Sequence, residues 1–434
     1  MHLPIPRRTF LALCAAAASA LTTLPARAAE PEQPDRPRFV VHEWGVMVTG
    51  KTADGAAELG PPAELTAQLP PFVLRHASAF KPKRQDHGWD KPVLHFYGPA
   101  GTAVRVKVGT PAGVPLAYWP PPAKFDEQWG KAITDRRAMM IYQLTEARGM
   151  EWAGTLSAEP AKPPAAAAAG HWWGGLRDVP GMWFNAAGGS ERFVFYEATA
   201  RKEPVVRSTL STDVLTLANT GRTDSGPVVV IVNDGTARRV VTVPNVPAGG
   251  KVELPKKDLP AQPTPDDATL AAAAAQWRAF GMTSQEADAI ARCWRPDLLN
   301  TPGVLVAARM PADVYAAMFP LTVEPKPDEV VRAGVVFDVL PGQDARLDWL
   351  PGIRATLDGW AKDLLAADFP TREAAARRFV RTGDLVRPYL QELAKSPNVE
   401  LSRQGQTLLR AMTPAPTTKP ADVLLLRPGQ LRER

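Results

Sequence analysis

Val104, Val106 and Val108 alternate with Arg105 and Lys107, a period of two that gives a strand one buried and one wet face. Similar apolar runs predict strands over residues 39–48, 92–97, 103–108, 192–197, 214–217, 228–232 and 239–243. Gly98-Pro99-Ala100-Gly101 supplies a turn between the second and third of these. Asn233-Asp234-Gly235 reads as a hairpin turn, because all three residues accept positive φ. Short strands at this spacing favour a β-sandwich or paired antiparallel sheets over a parallel α/β fold. The β-rich part is placed at residues 38–258.

The pattern changes after Asp258. Residues 260–267 form a proline-rich joint, and residues 268–295 have helix-forming composition, with Gly281 and Thr283 marking a break and a new cap. A strand at 303–308, a helix at 311–318 with Pro311 in its first turn, and a strand at 330–340 complete a mixed α/β part, 259–340. Leu347, Leu350, Ile353, Leu357, Trp360 and Leu364 then recur at helical spacing, which predicts a helix over 343–367 whose stripe is core. The expected fold class is therefore α+β: a β-sandwich-like antiparallel region, a mixed α/β part and a C-terminal helical layer over 341–412. Trp360 is the residue expected to dock that layer. A proline-rich, basic tail, 413–434, follows.

A length of 434 residues with 45% hydrophobic and 22% charged composition is that of an ordinary globular chain of several domains. The 45 prolines and 32 glycines call for many turns and exclude a fold dominated by long helices. The first 28 residues read as an export signal: Arg7 and Arg8, an apolar stretch over 10–24, then Ala26-Arg27-Ala28. Arg7-Arg8-Thr9-Phe10-Leu11 has the wording of a twin-arginine signal, and the apolar stretch is short for a bilayer span. Removal of this segment takes three of the 51 basic residues and no acid, leaving 48 against 45. The excess positive charge largely goes with it, so no nucleic-acid partner is expected. Cys14 leaves too, and Cys293 alone cannot form an internal disulfide; it reads as a small buried apolar residue.

Val41-His42-Glu43-Trp44-Gly45, the 92–97 strand, the segment 191–196, the segment 286–294 and Phe319-Pro320-Leu321-Thr322-Val323-Glu324-Pro325 resemble a group of large exported bacterial proteins of unknown function. The resemblance covers residues 39–340 and implies no established activity. Val46-Met47-Val48-Thr49 departs from the Thr-Phe-Thr type of continuation that the resemblance would lead one to expect. Residues 366–412 are similar to one HEAT-like helical unit, through Asp368-Phe369-Pro370-Thr371-Arg372-Glu373-Ala374-Ala375, Thr382-Gly383, Arg387-Pro388-Tyr389-Leu390 and Asn398-Val399-Glu400-Leu401-Ser402-Arg403. A lone unit exposes one face unless it docks on a neighbour.

Candidate chemistry is sparse. The histidines after the signal are His42, His76, His87, His95 and His171, all before residue 172. In a strand, His42 and Glu43 point to opposite faces, so they cannot share a metal. A metal held by His42 and His95 requires neighbouring strands. No cofactor is expected, zinc being the transition metal such a pair would suit. His87-Gly88-Trp89-Asp90 is expected in a loop, where His87, Trp89 and Asp90 would bind a ligand. Eight of the 12 tryptophans lie between Trp44 and Trp183, and His171, Trp172 and Trp173 are the segment expected to expose rings to a carbohydrate. No Gly-x-Ser-x-Gly element or phosphate-binding Gly-rich loop with Lys occurs after the signal. These features point to an exported, non-catalytic envelope binding or scaffold protein, in the periplasm or at the cell surface. Its partner would be a protein or a surface polysaccharide, with no transmembrane segment in the mature chain. The alternative is a metal-assisted or carboxylate hydrolase acting on a cell-surface polymer.

Overall fold

Val40–Lys51 is buried along nearly its whole described length, because it lies in the middle of the largest sheet. In the computed structural model, which describes residues 37–51, 57–58, 69–75, 87–111, 113, 115–125, 149–200, 204–340 and 349–412, this sheet has ten strands. Their order is Arg238–Val243, Val228–Asn233, Gly303–Met310, Glu329–Leu340, Val40–Lys51, His87–Tyr97, Phe193–Ala200, Pro115–Trp119 and Leu74–Arg75, with Ala57–Glu58 paired to the end of Val40–Lys51. Val40–Lys51 pairs in parallel with Glu329–Leu340 and antiparallel with His87–Tyr97. The expected signal peptide, residues 1–28, and the expected tail, 413–434, lie outside the described residues.

Each face of this sheet has its own cover. On one side Trp44, Val93, Phe195 and Val335 pack against Trp277, Ile290 and Trp294 of the helical segment formed by Asp266–Ala279 and Ser284–Cys293 with its capping residue. On the other, Val41, Phe96 and Tyr196 pack against Val106, Trp152 and Phe184 of a second sheet. That sheet runs Gly189–Glu191, Trp183–Ala186, Gly149–Ser157, Ala103–Gly109 and Leu321–Glu324, with Lys124–Phe125 beside it. A third sheet of Val206–Leu210, Val214–Asn219 and Lys251–Pro255 shares a core with the C-terminal helices. The α+β class is borne out, and Ala103–Gly109 buries Val104, Val106 and Val108 while exposing Arg105 and Lys107, as its alternation requires.

One turn joins different sheets, and two expectations are corrected. Gly98-Pro99-Ala100-Gly101 forms the expected turn, with Thr102 N donating to Pro99 O at 3.4 Å, and it passes the chain from the large sheet to the second. The strand expected from Pro92 begins at His87, so His87, Trp89 and Asp90 are strand residues and not loop. Pro92 is tolerated there because Lys91 and Pro92 stand opposite the single Gly45, a bulge that relieves the proline of a ladder bond. Lys91 takes the left-handed backbone, φ 53°, to make it. Finally, no domain boundary falls at 258/259, because Gly303–Met310 and Glu329–Leu340 are interior strands of the same sheet as Val40–Lys51. Periodicity marks which face of a strand is buried and says nothing about which strand lies next to it.

The C-terminal layer is two helix pairs and not one unit. Ile353–Asp363 and Phe369–Thr382 form the first, Arg387–Leu393 and Val399–Met412 the second. Their turns repeat 30 residues apart: Asp368 caps Thr371 N and Asn398 caps Leu401 N. The predicted helix over 343–367 is confined to Ile353–Asp363, and Leu347 lies outside the described residues. Trp360 does not dock the layer; it is half-buried and meets Phe379 of the next helix edge-on, 5.3 Å between centroids. Docking falls to Trp349, buried, whose Nε1 donates to Ser211 O and Thr212 O at 2.9 and 2.8 Å. The Asn233-Asp234-Gly235 turn adds a second tie: Gly352 N donates to Asp234 Oδ2 at 3.0 Å and Thr356 Oγ1 to Asp234 O at 2.9 Å. Gly235 has φ +85°, and a Cβ on it would lie 2.4 Å from Thr356 Cγ2.

This geometry sets an order of effects. Trp349→Ala removes a buried ring and leaves two carbonyls unmet, for a cost of about 3–5 kcal/mol, whereas Trp360→Ala costs less because the ring is only half-buried. Limited proteolysis and melting curves of the two variants check this, and a larger drop for Trp360→Ala would contradict it.

A candidate site around Glu286

Thr283-Ser284-Gln285-Glu286 has the spacing of a capping box, and the structure closes it: Glu286 N donates to Thr283 Oγ1 at 3.2 Å, Thr283 N to Glu286 Oε2 at 2.8 Å. The helix thus starts with a carboxylate turned back over its own first turn, against the large sheet. There His42 and His95 are direct cross-strand partners on adjacent antiparallel strands. His42 Nδ1 meets Glu286 Oε2 at 2.8 Å, Tyr97 Oη donates to Glu286 Oε1 at 2.8 Å, and His95 Nδ1 lies 3.8 Å from the same oxygen. His42 and Tyr97 also pack ring on ring, 5.0 Å between centroids.

Glu286 is fully buried. Burial pushes its carboxyl up, but the hydrogen bond from His42, the fields of His95 and His42 and the Thr283 N–H outweigh this and hold it down at about 2. An ionised carboxylate only accepts, so the proton on His42 sits at Nδ1. Nε2 is then left without a partner among the described residues, on a side chain that keeps a tenth of its surface exposed. His95 differs. Its Nε2 donates to Leu176 O at 3.4 Å, and burial lowers its pKa against the opposing pull of Glu286. Its Nδ1 lone pair therefore faces the carboxylate without a hydrogen bond. Tyr97 is held well above its ordinary range, by burial first and by Glu286 second.

The opposite face carries a matching cluster. Glu43 Oε1 accepts from Tyr196 Oη at 2.7 Å, Glu43 Oε2 accepts from Arg332 Nε, and Arg332 Nη2 donates to Phe319 O at 2.7 Å. The Arg332 guanidinium lies 4.2 Å from the Tyr315 ring centroid. His42 and Glu43 do point to opposite faces, as strand geometry requires.

The expected site residues divide three ways. His42 and His95 are brought together, but through a carboxylate; among the described residues no group of three or more His, Cys, Asp or Glu is arranged to hold a metal ion. His171 caps the helix Trp172–Arg177, accepting from Trp173 N. Trp173 is fully buried with Nε1 on Glu191, which also takes Arg177. Trp172 has Lys91 Nζ 5.1 Å from its centroid, and the same ammonium lies 4.2 Å from Trp294. Trp173 is thus not an exposed ring, while His171 and Trp172 are half-buried. His87, Trp89 and Asp90 are placed by backbone only, Trp89 opposite Met47 and Asp90 opposite Val46, and His76 lies outside the described residues. Cys293 is buried, its thiol pushed up to about 12 chiefly by burial, in keeping with an unreactive core residue.

Glu286, Tyr97, Tyr196 and Arg332 were not legible as site residues. The capping box at Thr283 was a signal for Glu286, but only for its local role.

No family model and no curated protein matches this chain. Among solved structures, the Fcho1 Mu homology domain of Danio rerio with bound Eps15 peptide aligns over 70% of this chain and 97% of that one. At 8% identity and a TM-score of 0.26 that likeness carries no argument.

Two predictions follow from the cluster. Long-range 1H–15N correlation spectra at neutral pH should show His42 as the Nδ1–H tautomer and His95 as neutral Nε2–H; the reverse pattern at His42 would contradict an ionised Glu286. Stability should also fall in acid. The His95 pKa is depressed below its unfolded 6.5 and that of Glu286 below its unfolded 4.5, so in each case the unfolded chain binds more protons. Their contribution is complete above about pH 6.5 and is lost first as unfolded His95 protonates, then between about 4.5 and 2. Urea titrations across this range should show His95→Gln flattening the upper step and Glu286→Gln the lower one.

Proposed function

We propose that this chain is an exported cell-envelope protein that works by binding another protein. The observation that carries the reading is where apolar surface remains. Among the described residues the exposed large apolar side chains are Leu74, Val330, Leu365, Phe369 and Val399. Three of these five sit on the two repeated turns of the helix pairs, Phe369 64% and Val399 82% exposed at equivalent positions. The helices that they open, Phe369–Thr382 and Val399–Met412, pack together. The chain runs back between them, so both start at the same edge. Apolar groups recurring at one edge favour a protein partner, whereas the buried Trp173 and the Lys91-covered Trp172 remove the ring platform that a polysaccharide would need. No helix among the described residues is long and apolar enough to cross a membrane.

The acid and base groups that could serve catalysis are spent inside the fold, Glu286 and Glu43 each accepting from several side chains or backbone groups of the chain itself. One feature favours hydrolysis, the outward Nε2 of His42 backed by a carboxylate. If that dyad were catalytic, His42→Gln would abolish a measurable hydrolysis of envelope polymer; the binding reading expects no such activity to lose.

Export and binding are tested separately. Arg7→Lys with Arg8→Lys should block export by the twin-arginine route while leaving an ordinary secretory signal working. Phe369→Ser with Val399→Ser should shift stability by no more than about 0.5 kcal/mol each yet release the exported protein from the envelope fraction. Unchanged partitioning of that double variant would sink the binding reading.

A further inference from the structure

Arg309 is a cation with no acid partner among the described residues. It lies on the interior strand Gly303–Met310, half-buried, with its guanidinium 5.0 Å from the Phe280 ring centroid. Among the described residues it has no carboxylate within ion-pair reach and no hydrogen-bond acceptor. This contrasts with Arg177 and Arg332, each of which holds a buried glutamate. Burial alone lowers the Arg309 pKa, with no acid acting against it.

Arg309 is one of the residues lining a cavity of about 370 Å³ between the Pro311–Met318 turn-and-helix and the 219–225 loop. That volume lies at the lower end of the ~300–1,000 Å³ range of small-molecule sites. Most polar groups of the wall are already used. Asn219 Nδ2 donates to Thr223 O and Val246 O, and Asp224 accepts from Asn245 Nδ2 and Ala248 N. Asp313, also on the wall, has no partner among the described residues. The residues of the wall thus include one arginine and one carboxylate without partners among the described residues, Arg309 and Asp313, with Asp224 giving the wall a net negative charge.

We propose that this cavity binds a small zwitterion, an α-amino acid or short peptide whose carboxylate lies on Arg309 and whose ammonium faces Asp313. The planar fork of a guanidinium matches a carboxylate in two parallel hydrogen bonds. Two acids on the same wall disfavour a multiply charged anion such as phosphate and favour a ligand that brings its own cation. The site is separate from the exposed helix edge and does not rest on the reading of that edge.

Calorimetric titration of the full chain tests it with four probes: alanyl-alanine, N-acetylalanine, alaninamide and inorganic phosphate. Alanyl-alanine should bind most tightly. Arg309→Gln should abolish that binding. Arg309→Lys, which keeps a cation over Phe280 and so protects the fold, should weaken it at least tenfold with the melting temperature retained. Asp313→Asn should weaken alanyl-alanine and leave N-acetylalanine unchanged. The proposal is overturned if alanyl-alanine does not bind at millimolar concentration, if it binds Arg309→Lys as it binds the native chain, or if phosphate or N-acetylalanine binds as tightly as the dipeptide.

Discussion

Two adjacent side chains, His42 and Glu43, hold the central strands in register from opposite faces. His42 stands directly across from His95, and both meet Glu286; Glu43 stands directly across from Arg332 on the parallel neighbour and pairs with it. A slip of one residue would turn each polar group to the wrong face, leaving buried charges unmatched. Hydrophobic contacts among valines tolerate such a slip far better, since one valine replaces another. The sheet has many valines, so its uniqueness depends on the polar pairs, while its stability comes from the apolar burial around them.

Burying Glu286 is favourable only because its lone pairs are met. A carboxylate taken from water costs several kcal/mol unless hydrogen bonds replace the solvent. Here the donors come from three places in the chain: His42 on the first strand, Tyr97 on the second, and the Thr283 backbone at the helix start. The carboxylate therefore fixes helix position and strand pairing together. His95 Nδ1 lies 3.8 Å from the carboxylate without a hydrogen bond, and His95 is the member of the cluster that acid disturbs first.

How far this was legible in the sequence follows from what each signal encodes. Strand existence was readable wherever an apolar run was uninterrupted, as at Val228–Asn233, and the opposite orientation of His42 and Glu43 followed from strand geometry alone. That His42 and His95 would meet was readable only as a condition, because pairing partners lie across a sequence gap that periodicity does not bridge. The parallel partner of the first strand begins at Glu329, and nothing in either run announces the other. Pro92 concealed the early half of its strand, since a proline reads as a boundary unless the facing bulge is known. Thr283 was visible as a cap, and the place of Glu286 depended on the sheet behind it. Tryptophan content misled for a similar reason: a ring that covers a sugar and a ring that fills a core have the same composition.

Arg332 and Arg309 show how the same residue serves two ends within one sheet. They lie on adjacent antiparallel strands, and each guanidinium rests against an aromatic ring, Tyr315 at 4.2 Å and Phe280 at 5.0 Å. The first has Glu43 and a backbone carbonyl, so its hydrogen-bonding capacity is spent on the fold. The second has the ring alone, which supports a cation without satisfying its donors. An arginine so placed is stable enough to be kept in one orientation yet retains free N–H groups at a cavity wall. Among the described residues the Arg309 guanidinium has no acceptor from its own chain, and a cation left so in a residue that lines a cavity marks where an outside carboxylate would be recognised.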